Sequence, residues 1–325
     1  MTRWKVGAVV GAIAIGALAC VPGALADGLP VPGIVTPHGG VPGPHGTHYV
    51  TNRDDGSTVV RALGAEGTIR DRRVSGDFTV PAIALDGSPS GLSADGSTLA
   101  LIRPRQAYPQ RQTHLLVLDA HHLRVAHRID LKGDFSFDAI SPDGSTLYLI
   151  EYLAPHDPTR YAVREYDLHS ERLVPAPIVD PDEAAGEMRG YPMTRASSPD
   201  GRWAYTLYDG GGNEPFVHAL DTGEGRAVCV DLDGLIKPNQ TSRVDMAVRA
   251  DGRELSLTTK GSVAAIIDTE TLAASAPPVA APAGSDGGGG GFPWMLVAAA
   301  GALGLLGGVA LKRRRNASGL TAPDA

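Results

Sequence analysis

The chain alternates short apolar runs with polar turns, and one phrase of this pattern returns about every fifty residues. A turn that contains Asp-Gly precedes an apolar strand within residues 92–102, 140–150, 197–208 and 249–257. A degenerate copy at residues 43–52 carries His45 in place of the Asp. A fixed period of this length indicates one repeated supersecondary unit, and for short strands that unit is a propeller blade.

A second motif recurs in phase with the first. An apolar strand that ends in Asp follows each Asp-Gly turn, at Asp119, Asp167, Asp221 and Asp268. Asp accepts hydrogen bonds from backbone N–H groups two residues on, and the Gly of Asp-Gly adopts a positive φ at little cost. We interpret both sets of carboxylates as turn formers rather than as metal ligands or catalytic acids.

The third repeat gives the strands of one blade. Its pattern predicts strands over residues 135–140, 146–152, 161–168 and 173–179, with a turn over 141–145. Leu147 and Leu149 alternate with Tyr148 and Ile150, so both faces of the second strand are apolar, as expected of a sheet between two other sheets. Over residues 33–275 the pattern predicts an all-β domain, a β-propeller of about five four-stranded blades.

The tetrapeptide Tyr49-Val50-Thr51-Asn52 and the Ser-Pro-Asp-Gly turns at Ser141 and Ser198 carry a family resemblance. The chain resembles the YVTN/lactonase-like β-propeller repeat family, to which TolB-type and WD40-type propellers are related. The resemblance implies the fold but no single function, because the family mixes surface scaffolds, ligand binders and enzymes. Such propellers usually have more than five blades, which leaves open a small closed ring, an unrecognised blade or an incomplete ring.

Both ends of the chain differ in composition from the repeats. Arg3 and Lys5 precede an apolar run that closes on Ala24-Leu25-Ala26, which predicts a secretory signal peptide over residues 1–26. Cys20 leaves lipidation open as an alternative. The propeller is then assigned to residues 27–275, a Pro/Gly-rich linker to 276–291, a transmembrane helix to 292–311 and a basic cytoplasmic tail to 312–325.

These ends predict a single-pass type I protein of the cell membrane with its propeller outside the cytoplasm. The net charge is −7 although the tail is basic, so the exported part is acidic and nucleic acid is excluded as a partner. The preference for Arg over Lys, with abundant Ala and Gly, is typical of actinobacteria. Gly304 and Gly308 form a small-residue pair in the predicted helix, and we expect a monomer or a weak dimer.

Cys229 is the only cysteine left after removal of the signal peptide, so the propeller has no internal disulfide. Ring closure must therefore come from strand pairing and packing. The segment after Leu272 is rich in Ala and Pro and suits a strand poorly. We hypothesise that residues 27–35 supply the strand that completes the last blade.

The innermost strand of each blade lines the channel of a propeller, so its polar residues are candidate ligand-binding residues. The candidates are Asp138, Arg189, Tyr191, Arg195, Arg243 and Asp245. Two carboxylates from different blades can perform acid–base chemistry, or they can pair with the arginines as structural ion pairs. The arginines also suit an anionic or sugar ligand. No residue is assigned a catalytic role.

His38, His45 and His48 are weak candidates for metal ligands, because histidines at short spacing bind Zn²⁺ or Cu²⁺. They lie in a Gly/Pro-rich stretch with no helix or hairpin to fix ligand geometry, so no metal site and no cofactor is predicted. The sequence also contains no phosphate-binding loop, dinucleotide fingerprint or nucleophile elbow.

The sequence thus predicts a membrane-tethered extracytoplasmic β-propeller that serves as a binding or scaffold module rather than an enzyme. Its partner is an unknown surface protein, glycan or small molecule. The alternative is a propeller-fold hydrolase, lactonase-like or glycosidase-like, with its site in the central channel. A purely architectural surface protein is a third possibility.

Overall fold

The computed structural model describes residues 40–182 and 188–278. The predicted signal peptide, Cys20, His38, the proposed closing strand at residues 27–35, the predicted transmembrane helix and the basic tail all lie outside these residues. Among the residues described, no helix has the length and apolar character needed to cross a membrane.

The described strands form five antiparallel sheets that follow one another along the chain. Sheet 1 contains β1 (Gly40–Pro42), β2 (His48–Asp54), β3 (Ser57–Gly64) and β4 (Gly67–Ser75). Sheet 2 contains β5 (Thr98–Ile102), β6 (Gln112–Asp119) and β7 (Arg124–Lys132). Sheet 3 contains β8 (Phe135–Ile140), β9 (Thr146–Ala154), β10 (Asp157–Asp167) and β11 (Arg172–Leu173), and β12 (Met188–Arg189) also pairs with β10. Sheet 4 contains β13 (Pro192–Ser197), β14 (Trp203–Tyr208), β15 (Phe216–Asp221) and β16 (Arg226–Asp231). Sheet 5 contains β17 (Val244–Val248), β18 (Glu254–Thr259), β19 (Ser262–Asp268) and β20 (Ala274–Ser275).

The Asp-Gly motif forms the turn between the first and second strands of a sheet, as predicted. Asp95, Asp143, Asp200 and Asp251 each accept the backbone N–H two residues on at 2.9–3.1 Å. The glycine that follows each Asp has a φ of 71° to 73°. The Ser141 and Ser198 hydroxyls donate to Asp143 and Asp200, which lowers the pKa of both carboxyls.

The second family of aspartates forms the turn between the third and fourth strands. Asp119, Asp167, Asp221 and Asp268 each accept two successive backbone N–H groups at 2.7–3.2 Å. In each antiparallel sheet, both turns therefore lie at the same end of the strands. This end of the sheets is called the turn rim below. The interpretation of these carboxylates as turn formers is confirmed.

The core lies between consecutive sheets. Leu147 and Leu149 join a buried cluster with side chains of sheet 2, whereas Tyr148 and Ile150 join one with side chains of sheet 4, as their alternation predicts. Comparable clusters join sheet 1 to sheet 2 and sheet 4 to sheet 5. Burying one such apolar side chain contributes roughly 1.5–3 kcal/mol, so these interfaces hold the sheets in sequence. Among the described residues, no cluster joins sheet 5 to sheet 1.

The first three strands predicted for the third repeat are confirmed as β8, β9 and β10, but the fourth is much shorter than predicted. β11 covers two residues. Beyond it, the Val174 N–H donates to the Glu165 carbonyl at 2.8 Å, and an isolated bridge joins Val163 to Ile178. Pro175 and Pro177 explain the difference, because proline has no N–H for the ladder. Arg164 instead donates to the carbonyls of Val174 and Pro175 at 2.8 and 3.1 Å.

Sheet 2 lacks a regular innermost strand, which corrects the prediction of four strands in every blade. Its place is taken by residues 78–92, called the inner segment below. Isolated bridges join Thr79 to Ile102 and Leu92 to Leu99, and a third joins Ala82 to Pro89 within the segment. The segment contains Pro81 and Pro89, together with Gly87 and Gly91 at positive φ, and these residues break a continuous ladder.

Candidate functional site

The inner segment fills the space beside the first strands of sheets 3 and 4. The backbone N–H groups of Leu85 and Asp86 donate to the carbonyls of Pro192 and Met193 in β13, at 2.9 and 3.2 Å. Val80, Ala82 and Ala84 are completely buried. The side chains of β8 are buried along its whole length. Where the sequence predicts an open channel beside these strands, the structure therefore places packed chain.

A small cavity remains next to the inner segment. Ile83, Ser136, Tyr152, Tyr161, Tyr191 and Tyr208 are among the side chains that line it. Its volume of about 10 Å³ is close to the minimum that one water molecule needs. The cavity has no room for a sugar or lactone in this conformation.

Asp138 and Arg195, two of the predicted channel residues, are brought together as a buried ion pair between sheets 3 and 4. The side-chain exposures are 3% and 5%, respectively. One guanidinium N–H donates to the Asp138 carboxylate, a second donates to the Asp138 carbonyl at 3.2 Å, and Nε donates to Thr206 Oγ1 at 2.7 Å. The register of β8 and β9 shifts between Phe137 and Ala139, so a bulge at Asp138 sets the direction of its side chain.

His218 in β15 lies beside this pair, and the sequence analysis missed it. The imidazole is fully buried, and neither ring nitrogen has a hydrogen-bond partner among the described residues. Desolvation lowers its pKa to about 4; the charge of Asp138 opposes this shift to a smaller extent, whereas the charge of Arg195 adds to it. The ring is therefore neutral at pH 7. The equivalent third-strand residues are Leu116, Arg164 and Ala265, so a polar residue at this position is not particular to His218 and the repeats gave only a partial signal.

Arg189 and Tyr191 lie where the chain enters sheet 4. Arg189 is exposed in β12 and pairs in register with Arg160. Tyr191 is half-buried, lines the small cavity, and donates its backbone N–H to Asp209 Oδ1 at 2.8 Å. Neither residue joins the Asp138–Arg195 ion pair.

Arg243 and Asp245 do not join the other candidates. Arg243 ends a 3-10 turn at Pro238–Arg243, and Asp245 is the second residue of β17. Both are exposed, and within the described part of the chain neither forms an ion pair. The six predicted residues thus form one buried pair and four separate positions, not one site.

The histidine candidates are not arranged as metal ligands in the region described. His45 is exposed in a turn with a φ of 55°, whereas His48 begins β2 and is half-buried. Across residues 40–182 and 188–278, no group of three or more His, Cys, Asp or Glu side chains has the geometry to hold a metal ion. Cys229 is half-buried in β16 and is not in a disulfide there.

The turn rim carries grooves between consecutive sheets. One lies between sheets 2 and 3, one between sheets 3 and 4 and one between sheets 4 and 5. Each is lined by residues of the Asp-Gly turns and of the turns between third and fourth strands. These grooves are shallow and open, and they carry carboxylates, hydroxyls and aromatic rings. The turn rim therefore offers accessible polar surface at each of these three grooves.

No protein-family model matches the chain, and no curated protein sequence matches it. Among solved structures, it is similar to the hydrazine synthase of Kuenenia stuttgartiensis, with 19% identity, 73% of this chain and 63% of that chain covered, and a TM-score of 0.41. It is also similar to TolB from Acinetobacter baumannii, with 17% identity, 76% of this chain and 54% of that chain covered, and a TM-score of 0.40. A third similar structure is a protein of Bacteroides uniformis described as a putative 6-phosphogluconolactonase, with 16% identity, 72% of this chain and 67% of that chain covered, and a TM-score of 0.41. The chain spans less than two thirds of the first two proteins, and what those proteins do is not carried over to it.

Proposed function

We propose that the repeats form a membrane-tethered extracytoplasmic binding module that works through its outer surface and catalyses no reaction of its own. The observation that carries this proposal is that the inner segment fills the space beside the first strands of sheets 3 and 4. Asp138 and Arg195 are bonded to each other, and the adjoining cavity is about 10 Å³ in volume. A hydrolase needs accessible acid and base groups around a bound substrate. A binding module needs only its rim and faces.

The proposed tether rests on the sequence at the two ends of the chain. Residues 1–26 carry the pattern of a signal peptide, and residues 292–311 are an uncharged apolar run followed by four basic residues. The Pro/Gly-rich linker at 276–291 would hold the domain roughly 20 Å from the membrane, by the random-coil estimate for a linker of its length. Its partner would then be a surface protein, a glycan or a small molecule outside the cytoplasm.

The location is tested by protease treatment of intact and lysed protoplasts that produce the full chain with a C-terminal epitope. We expect trypsin added to intact protoplasts to remove the domain and to leave a small epitope-bearing fragment in the membrane. A variant without residues 292–311 should appear in the medium. Full protection of the domain in intact protoplasts, with digestion only after lysis, would overturn the proposed location.

A hydrolase is the alternative, and one observation favours it. Asp138 Oδ2 is buried without a hydrogen-bond partner among the described residues, close to His218. A conformational opening would expose a carboxylate and an imidazole together. The test is turnover of a panel of lactones and aryl glycosides by the full-length chain and by the variant Asp138→Asn with Asp245→Asn. We expect no turnover that depends on these carboxylates. Hydrolysis that the folded double variant loses would replace the binding proposal.

A further inference from the structure

The groove between sheets 4 and 5 is acidic, like the groove between sheets 3 and 4, but it alone of the three grooves has two aromatic rings, Trp203 and Tyr205, in its lining. Asp200 and Asp251 come from the Asp-Gly turns of the two sheets, Thr269 and Glu270 come from the last turn of sheet 5, and Trp203 and Tyr205 come from β14. The groove has a volume of about 380 Å³ and opens to solvent. It is therefore large enough for a small organic group or a side chain of a partner.

Tyr205 supplies an unsatisfied polar atom at this groove. Its side chain is completely buried, and its hydroxyl has no hydrogen-bond partner in the described part of the chain. A buried hydroxyl without a partner costs stability, so such an atom calls for an explanation. One explanation is a ligand group that binds to it.

The preceding repeat shows what this position does when it is only structural. Tyr148 of β9 follows the glycine of its Asp-Gly turn at the same spacing as Tyr205 does, and it faces the interface of sheets 3 and 4. Its hydroxyl donates to the Thr222 carbonyl at 2.8 Å. Thr269 is the counterpart of Thr222 and lines the groove, but it does not accept from Tyr205. The unsatisfied hydroxyl is therefore a departure from an arrangement that the chain uses one repeat earlier.

The charge of the groove is negative. Asp200, Asp251 and Glu270 are exposed carboxylates, and the hydrogen bond from Ser198 keeps the pKa of Asp200 low. Arg202 also lines the groove, but its guanidinium is bound to Asp221 at 2.7 and 3.0 Å and to Glu224 at 2.7 Å. Arg202 is thus balanced by carboxylates outside the groove. Asp251 shares the Arg249 guanidinium with Glu254, each at 3.3 Å, so these three residues together still carry a negative charge. The lining therefore favours a cationic ligand.

Trp203 forms a rigid apolar wall. Its ring stacks on that of Tyr205, with 6.0 Å between ring centroids and 9° between planes, and the Arg226 guanidinium lies 5.8 Å from its centroid. The other Asp-Gly turns have Thr98, Thr146 or Glu254 at this position. An apolar wall beside carboxylates suits a cation that is carried on methylene groups.

We propose that this groove binds a primary alkylammonium group, with Tyr205 Oη accepting one N–H, the carboxylates of Asp200, Asp251 and Glu270 balancing the charge, and Trp203 flanking the methylenes. A primary ammonium is a compact charge with three donors, which matches one hydroxyl and several carboxylates better than a planar guanidinium does. Because the hydroxyl is covered, the ligand must displace the groove walls slightly to reach it. This proposal rests on the proposed binding function, and its chemistry is shared by a lysine side chain of a partner and by a free diamine.

The test is calorimetric titration of the full-length chain with 1,5-diaminopentane and with Nα-acetyl-lysine N-methylamide. Tyr205→Phe removes only the hydroxyl, and we expect it to weaken binding about tenfold or more, the effect of losing a hydrogen bond to a charged group. Tyr148→Phe is the matched control, because it removes the equivalent hydroxyl from the preceding repeat, and it should leave the affinity unchanged. The bis-trimethylammonium analogue of the diamine has no N–H donors and should bind no better to the wild-type chain than to Tyr205→Phe.

The results of this titration distinguish a lysine side chain of a partner from a free amine, and they test the groove separately from the proposed binding function. Binding of the lysine derivative alone would assign the group to a partner protein, and binding of the diamine alone would assign it to a free amine; both support the site. Equal affinity of the wild-type chain and Tyr205→Phe, or no binding of either amine, would overturn it. If Tyr205→Phe does not fold, Glu270→Gln at the exposed wall should weaken binding several-fold, and an unchanged affinity would overturn the site. The protoplast and turnover experiments do not use this groove, so the proposed function can stand if the site fails.

Discussion

His218 of β15 is a titratable residue that is buried at the interface between two sheets. It shares the interface of sheets 3 and 4 with the Tyr208 ring, whose centroid lies 6.3 Å from its own, and with Asp138, Arg195 and Asp180 as the charged groups near it. Burial without hydrogen bonds disfavours the charged imidazolium far more than the neutral ring. The protonation of one residue is therefore linked to the stability of an interface between sheets.

We predict that His218 makes the stability of the domain depend on pH between about 6.5 and 4. Its folded-state pKa of about 4 lies below the ordinary histidine value of 6.5, so in this window the unfolded chain binds a proton that the folded chain does not. The free energy of unfolding should fall by roughly 3 kcal/mol as the pH is lowered across the window. His218→Phe should abolish this part of the pH dependence, as measured by urea unfolding of the full-length chain at several pH values.

The comparison of the two proteins at pH 7 is the internal control for this prediction. Phe removes two unsatisfied ring nitrogens and keeps a ring of similar size, so His218→Phe should be as stable as the wild-type chain there or more stable. Identical slopes of stability against pH for the two chains would show that the imidazole is solvated or paired in solution.

The six predicted site residues show what sequence could and could not give at this scale. The repeats place Asp138 and Arg195 on the first strands of neighbouring sheets, and ion pairing was one of the alternatives derived from that placement. The exposure of Arg243 and Asp245 could not be predicted from the sequence, because it depends on which residues pack beside β17. The unsatisfied atoms of His218 and Tyr205 depend on the three-dimensional positions of acceptors, which no local pattern encodes.

At the scale of elements, the inner segment is held by close backbone contacts. Gly91 has a φ of 109°, and a Cβ at this position would lie 2.4 Å from the Ala100 carbonyl oxygen. Ala100 belongs to β5, the strand onto which the segment folds. The close approach of these two backbones therefore requires a residue without a side chain.

We predict that Gly91→Ala destabilises the domain by about 3 kcal/mol or more, through the backbone clash added to the cost of a positive φ. Gly234→Ala is the matched control, because Gly234 also has a positive φ of 72° but a Cβ added there would meet no atom within 4 Å. It should cost only about 1–2 kcal/mol. Urea unfolding curves of both variants test this, and equal losses of stability would show that the segment moves away from β5 at no cost.

The elements that the sequence predicts well are those whose hydrogen bonds are local. β8, β9 and β10 follow from Asp-Gly turns and from alternation, and their partners lie next to them in the chain. The inner segment and the short β11 were not predictable in this way. Leu85 donates to Pro192, far along the chain, and Arg164 replaces the missing N–H groups of Pro175 and Pro177 through its side chain.

At the scale of the whole domain, the described sheets form a series in which each inner member is covered on both faces. Among the described residues, the buried clusters cover each of the two end sheets on one face only, through its single neighbour. In an array with only nearest-neighbour contacts, stability is a sum of the units and their interfaces. The end units should then open most readily.

We predict that amide hydrogen exchange under native conditions is slowest in β9 and β14 and fastest in β4 and β19. An interface worth about 2 kcal/mol corresponds to roughly thirtyfold in protection. Exchange followed by mass spectrometry of peptides from the full-length chain measures this gradient. Equal protection of all five sheets would show that chain outside the described residues, such as the segment at residues 27–35, covers the end sheets.

The series of interfaces has a consequence for how such a chain changes over generations. In the region described, the first and last sheets do not share a core. Duplication or loss of one fifty-residue unit therefore leaves each remaining sheet packed against its neighbours through the same kind of interface as before. A ring sealed by a fixed number of blades would have to change all its angles at once. Homologues of different length, related by whole units inserted between Asp-Gly turns, are therefore the variation that this architecture tolerates most easily.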